Sequence, residues 1–134
     1  MHCSGIREEC AVGGWSNNEW GHKRERAEAL KNEGEYEGAE GLYSAVLCHD
    51  PSDPEAHLGL GLVYCFTGRF EESLLELQRA AECRPGWVDA HLNLAKTYAM
   101  LGRYEEARQE FEQVLGLCPD HVEAKRQLGY FPPG

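Results

Sequence analysis

Residues 88–121 read VDAHLNLAKTYAMLGRYEEARQEFEQVLGLCPDH, and the punctuation recurs one interval earlier in residues 54–87, PEAHLGLGLVYCFTGRFEESLLELQRAAECRPGW. Gly34, Gly68 and Gly102 stand 34 residues apart, as do Tyr36, Phe70 and Tyr104, and again Pro51, Pro85 and Pro119. Each residue type has its own job. Glycine ends one helix. The aromatic two residues later anchors the next, and proline stops that next helix because it cannot continue it. A period in this range with this punctuation predicts stacked helix pairs, an all-α solenoid rather than one closed globule.

Reading outward, apolar residues spaced by three and four predict seven helices. Ser16 and Glu19 stand at capping-box spacing before a first helix that runs to about Asn32 and is stopped by Gly34. The second covers about 35–48. Asp53 is a good N-cap and Pro54 a good first residue for the third, which reaches Thr67. The fourth spans about 69–83, the fifth 87–101, the sixth 103–117 and the seventh 121–130. The connections are short, so neighbouring helices run antiparallel. Residues 1–15 read as a tail, 16–130 as the repeat domain, and 131–134, with Pro132-Pro133, as a second tail.

The chain has 134 residues, 42% hydrophobic and 27% charged, which is ordinary for a folded domain with a core. Its net charge of −10 argues against nucleic-acid or anionic-membrane binding, which needs clustered Lys and Arg. No apolar run approaches the ~20 residues that span a bilayer, so no membrane insertion is expected. The first residues, MHCSGIREEC, lack the apolar stretch of a signal peptide, and a cytoplasmic setting is expected. Cys48, Cys65, Cys83 and Cys118 fall in helical patterns and read as small core fillers and reduced thiols.

These residues resemble the tetratricopeptide repeat family. Residues 88–121 carry Leu94, Ala95, Tyr98, Gly102, Tyr104, Ala107, Phe111 and Pro119 where that family expects them. Residues 54–87 carry Leu60, Gly61, Tyr64, Gly68, Phe70, Ala80 and Pro85. Residues 20–53 match well through Tyr36, Ala39, Tyr43 and Pro51, and weakly in the opening helix. The resemblance implies three repeats, at about 20–53, 54–87 and 88–121, and a capping helix at 122–130. It implies a right-handed superhelix whose concave face, lined by the first helix of each pair, binds peptides or helices.

Mapped onto that face, the groove holds Glu55, Leu58, Leu62, Cys65 and Phe66 in the second repeat. The third contributes Asp89, Leu92, Lys96, Ala99 and Met100, and the last helix Glu123, Arg126 and Tyr130. The first repeat adds Arg24, Glu28, Lys31 and Asn32. Leu58, Leu62 and Phe66, spaced by four, form a stripe separate from the core stripe of Ala56, Leu60, Val63 and Tyr64. Burying three such side chains is worth on the order of 5 kcal/mol before ordering costs. Glu55, Asp89 and Glu123 occupy equivalent positions and form an acidic ladder. The ligand expected is a protein or peptide, amphipathic and carrying basic residues. The subtype that clamps chaperone carboxylates uses Lys and Asn in its groove. Here Glu28, Gly59 and Asp89 stand in those places, so chaperone tails are not expected.

Other readings compete. Ile6, Val12 and Trp15 of the tail, or a second copy, could cover the apolar stripe, making a self-assembling module. The chain could also be a substrate-recruiting piece of a larger protein. No metal site is expected: His2, Cys3 and Cys10 lack a Cys-x-x-Cys pair, and the repeated His57 and His91 read as packing residues. No cofactor motif or catalytic constellation is present, and the pairs Glu71-Glu72 and Glu105-Glu106 read as helix starts. An interaction scaffold or adaptor, not an enzyme, is the reading.

Overall fold

A computed structural model describes residues 17–130. The helices are α1 Asn17–Asn32, α2 Tyr36–His49, α3 Pro54–Phe66, α4 Phe70–Cys83, α5 Val88–Met100, α6 Tyr104–Leu117 and α7 Val122–Leu128. All seven expected helices form, with ends shifted by one or two residues. Ser16, the tail of residues 1–15 with Ile6, Val12 and Trp15 and with His2, Cys3 and Cys10, and residues 131–134 lie outside the described residues.

Within each pair the reversal is made by one turn, repeated three times. Gly34, Gly68 and Gly102 have φ of 85°, 82° and 78°, the left-handed region that glycine enters without a Cβ clash. At each turn two backbone bonds satisfy carbonyls left over at the helix end. The glycine N–H donates three residues back (Gly68 to Cys65, 3.1 Å), and the following N–H donates five back (Arg69 to Tyr64, 2.8 Å). The same residue, Glu35, Arg69 or Arg103, is then the N-cap of the next helix. A chain that ends one helix and starts another on a single shared residue must fold straight back. Between pairs the join at α3 is different. Asp53 Oδ1 accepts from the N–H of Glu55 at 3.0 Å and of Ala56 at 3.2 Å, and Pro54 opens the helix.

Each helix packs mainly on its neighbours in sequence. The approach of α3 to α4 depends on Gly61: a Cβ there would lie 2.8 Å from Leu77 Cγ. Across the same gap Ser73 Oγ donates to the Gly61 carbonyl at 2.7 Å. Two apolar clusters result. One joins Trp20, Ala27, Ala39, Tyr43, Val46 and Leu47 to Ala56, Leu60 and Val63 of α3. The other joins Leu74 and Leu77 of α4 to Leu94, Tyr98, Phe111, Val114 and Ala124.

His57 and His91 are buried and tie each later pair together. His57 Nε2 lies 2.7 Å from the Pro51 carbonyl and Nδ1 2.8 Å from Glu76 Oε1. His91 repeats this with Pro85 at 2.7 Å and Glu110 at 2.8 Å. A carbonyl only accepts, so each Nε2 carries a proton and donates it. Both ring nitrogens of both histidines are engaged, which agrees with packing rather than metal binding. In the first repeat Lys23 and Leu42 stand at the equivalent positions, and the brace is absent.

The cysteine reading needs correction. Cys65 and Cys118 are free, but Cys48 and Cys83 are each disulfide-bonded. Both lie at helix C-terminal ends, half-buried and outside the two core clusters, where a thiol is accessible to a cross-link. Helical periodicity marked them as core because it does not distinguish a helix's middle from its last turn. Among the described residues, no helix is long and apolar enough to cross a membrane.

Two stability predictions follow from this geometry. Gly102→Ala meets no atom within 4 Å, so its cost is purely conformational, about 1–2 kcal/mol. Gly116→Ala, in a helix and equally open, gains several tenths of a kcal/mol up to about 1. Urea unfolding should separate the pair with unchanged m-values. His57→Ala removes the imidazole from beside the Glu76 carboxylate, whose side chain is only 7% exposed, and should cost about 3 kcal/mol. His91→Ala should cost less, because the Glu110 side chain is 23% exposed against 7% for Glu76.

Candidate functional site: a groove across the first helices

The helices that open successive pairs, α1, α3 and α5, flank a cavity of about 230 Å³. Arg24, Glu28 and Lys31 of α1 form one wall. Glu55, Leu58, Gly59 and Leu62 of α3 form the other, Trp87 and Asp89 close the end, and Tyr43 of α2 lies at the base. Of the groove residues expected from sequence, the fold brings Glu55, Leu58, Leu62 and Asp89 together here, along with Arg24, Glu28 and Lys31.

The remaining expected residues lie elsewhere. Phe66, 56% exposed, tilts against the Tyr36 ring at 5.5 Å between centroids. Met100 is 63% exposed at the end of α5, and Cys65 is half-buried beside Phe66. Leu92 is 8% exposed and belongs to the second core cluster, and half-buried Leu58 packs against that same cluster. The stripe on α3 is therefore not a separate open face. Leu58 has already spent part of its area on the core, so a ligand gains less than the full transfer of three side chains. Arg126 is exposed on α7.

The acidic ladder is largely neutralised within the chain. Arg24 Nε lies 2.9 Å from Glu55 Oε1 and its Nη1 2.8 Å from Asp53 Oδ2, with Arg84 at 3.9 Å from Glu55. Lys96 Nζ lies 2.9 Å from Glu123 Oε2, joining α5 to α7. That hydrogen bond holds the Glu123 carboxyl below its ordinary range. Asp89 and Glu28 make no ion pair among the described residues, and neither does Lys31. The rim thus keeps two unpaired carboxylates against one ammonium.

Two contributors were not expected in the groove. Trp87 reads in sequence only as a helix start; the Arg84 guanidinium stacks 4.4 Å from its ring centroid and turns it into a wall. Tyr43 reads as core, and it is, but its tip reaches the groove past Gly59. No local pattern signals either, since both depend on how two pairs stack.

Comparison with known proteins agrees with this architecture. Residues 52–120, more than half of the chain, match the tetratricopeptide repeat, and residues 21–63 match a second form of it. The chain belongs to the tetratricopeptide repeat family, whose repeats form a non-catalytic scaffold for protein interaction. No curated protein sequence matches it. Among solved structures, the first such domain of Spaghetti (RPAP3), bound to the HSP90 peptide SRMEEVD, superposes with a TM-score of 0.81 at 21% identity, covering 85% of this chain and 90% of that one. MamA gives 0.80 at 20% identity, covering 84% and 66%. The type III secretion translocator chaperone SycD of Yersinia enterocolitica gives 0.81 at 17% identity, covering 90% and 100%.

The Lys96–Glu123 tie has a pH signature. A carboxyl depressed in the folded state contributes stability at neutral pH and loses it as pH falls through its folded value, below the ordinary Glu value of about 4.3. Lys96→Met should raise the Glu123 titration midpoint, read by carbon-detected NMR, and should increase amide exchange in α7 at neutral pH.

Proposed function

We propose that this chain is an adaptor that binds a peptide or helix carrying basic and apolar residues in the groove between α1, α3 and α5. The observation that carries this reading is the combination of an apolar lining, Leu58, Leu62 and Trp87, with the unpaired carboxylates of Glu28 and Asp89. Apolar anchors supply affinity, and the rim carboxylates select cations and orient the ligand.

The relative that holds SRMEEVD takes an acidic peptide. Here such a peptide meets the unpaired carboxylates of Glu28 and Asp89, and like charges across an interface disfavour binding. A second reading, self-association, draws on the exposed apolar side chains at the C-terminal end of the stack, Tyr104 of α6, Val122 of α7 and Tyr130 beyond it, 57%, 72% and 70% exposed. Light scattering at increasing concentration separates the two, since only self-association raises the mass. The cytoplasmic setting expected from the missing signal stretch fits poorly with Cys48 and Cys83, which are disulfide-bonded rather than reduced.

Affinity capture by the full chain, compared with Asp89→Lys, tests the adaptor reading. Asp89 is exposed and makes no ion pair, so the fold should be unaffected. Captured partners should weaken about tenfold, on the order of 1.4 kcal/mol. Titrated SRMEEVD should show no binding to the unsubstituted chain. Micromolar binding of that peptide, or capture indifferent to Asp89→Lys, overturns the preference for a basic ligand.

A further inference from the structure

At the base of the groove lies a polar group with no hydrogen-bond partner among the described residues. Tyr43 is 2% exposed, and its hydroxyl makes no hydrogen bond among the described residues. No fully enclosed side-chain oxygen there lacks a hydrogen bond, so the phenol oxygen retains a sliver of access. That access is to the groove it lines.

The surroundings keep this opening. A Cβ at Gly59 would lie 2.2 Å from Tyr43 Cζ and 2.5 Å from its hydroxyl oxygen. Glycine inside a helix is unfavourable, yet here only glycine leaves room for the ring and leaves the hydroxyl uncapped. The equivalent positions, Glu25 and Asn93, carry side chains. The positions equivalent to Tyr43 are Leu77 and Phe111, which fill the core without a hydroxyl. The core therefore asks only for an apolar side chain at this place, and the oxygen is additional. Burial pushes the phenol above its ordinary value, with Glu28 and Glu55 adding and Arg24 opposing, so it stays protonated and can donate.

We propose that the Tyr43 hydroxyl is a ligand-binding group that donates a hydrogen bond, through the gap left by Gly59, to a backbone carbonyl of the bound peptide. A carbonyl is the acceptor that fits: it is uncharged, whereas a carboxylate would face the unpaired Glu28, with Arg24 already engaged by Asp53 and Glu55. The peptide therefore passes Gly59 closely, with apolar side chains against Leu62 and Trp87 and a cation toward Asp89. This inference rests on the groove being a peptide site.

Selection of 12-residue peptides from a random phage-displayed library on the full chain supplies the probe, followed by calorimetric titration of the best synthetic peptide. Tyr43→Phe keeps the ring and removes the hydroxyl. Because that hydroxyl has no hydrogen bond among the described residues, the change should weaken binding about five- to tenfold, with Tm unchanged or higher. A fall in Tm would show that the oxygen serves the fold, and the proposal would be lost. Unchanged affinity in Tyr43→Phe, with affinity reduced in Leu62→Ala/Trp87→Ala, removes the hydrogen bond but leaves the groove. Selected peptides indifferent to both variants, or no peptide recovered, remove the groove reading and this inference with it.

Discussion

Three glycine turns set the terms for everything else. At Gly34, Gly68 and Gly102 the chain enters the left-handed region, closes two backbone hydrogen bonds, and begins the next helix on the following residue. With no free linker, the second helix of each pair must lie against the first. Amphipathic faces then meet in a fixed order, and the first helices α1, α3 and α5 fall on a common side. The groove is a geometric consequence of where the turns stand.

Stacking between pairs is held by a different device. His57 and His91 each join a preceding proline carbonyl, their own helix and a glutamate of the following helix. These are buried polar links in an otherwise apolar stack, fully hydrogen-bonded and so tolerated. They fix how far the second and third pairs rotate on the turn before them. The first pair lacks the brace and relies on Arg24, which bonds Asp53 and Glu55 across to α3. That arginine thus both holds the first two pairs together and neutralises one side of the groove.

Charge in the groove is consequently much quieter than its composition. An acidic chain with Glu55, Asp89 and Glu123 in register suggests a continuous negative strip. Long basic side chains on neighbouring helices fold over two of the three, because an ion pair in a partly dry cleft is screened less than one in open water. What the groove keeps unpaired is Asp89, Glu28 and Lys31, set beside Leu58, Leu62, Trp87 and Tyr43.

The repeat period, the seven helices and their turning points were all legible in the chain, because glycine, proline and amphipathic spacing act within a few residues of themselves. The first-helix positions of the groove followed from the same register, and Glu55, Leu58, Leu62 and Asp89 do meet there. The pairing of Arg24 with Glu55 and Lys96 with Glu123, the burial of Leu92, and the arrival of Trp87 and the Tyr43 hydroxyl were not legible. Each depends on the distance and rotation between successive pairs. Side-chain packing sets those quantities across the whole stack, and no local pattern encodes them.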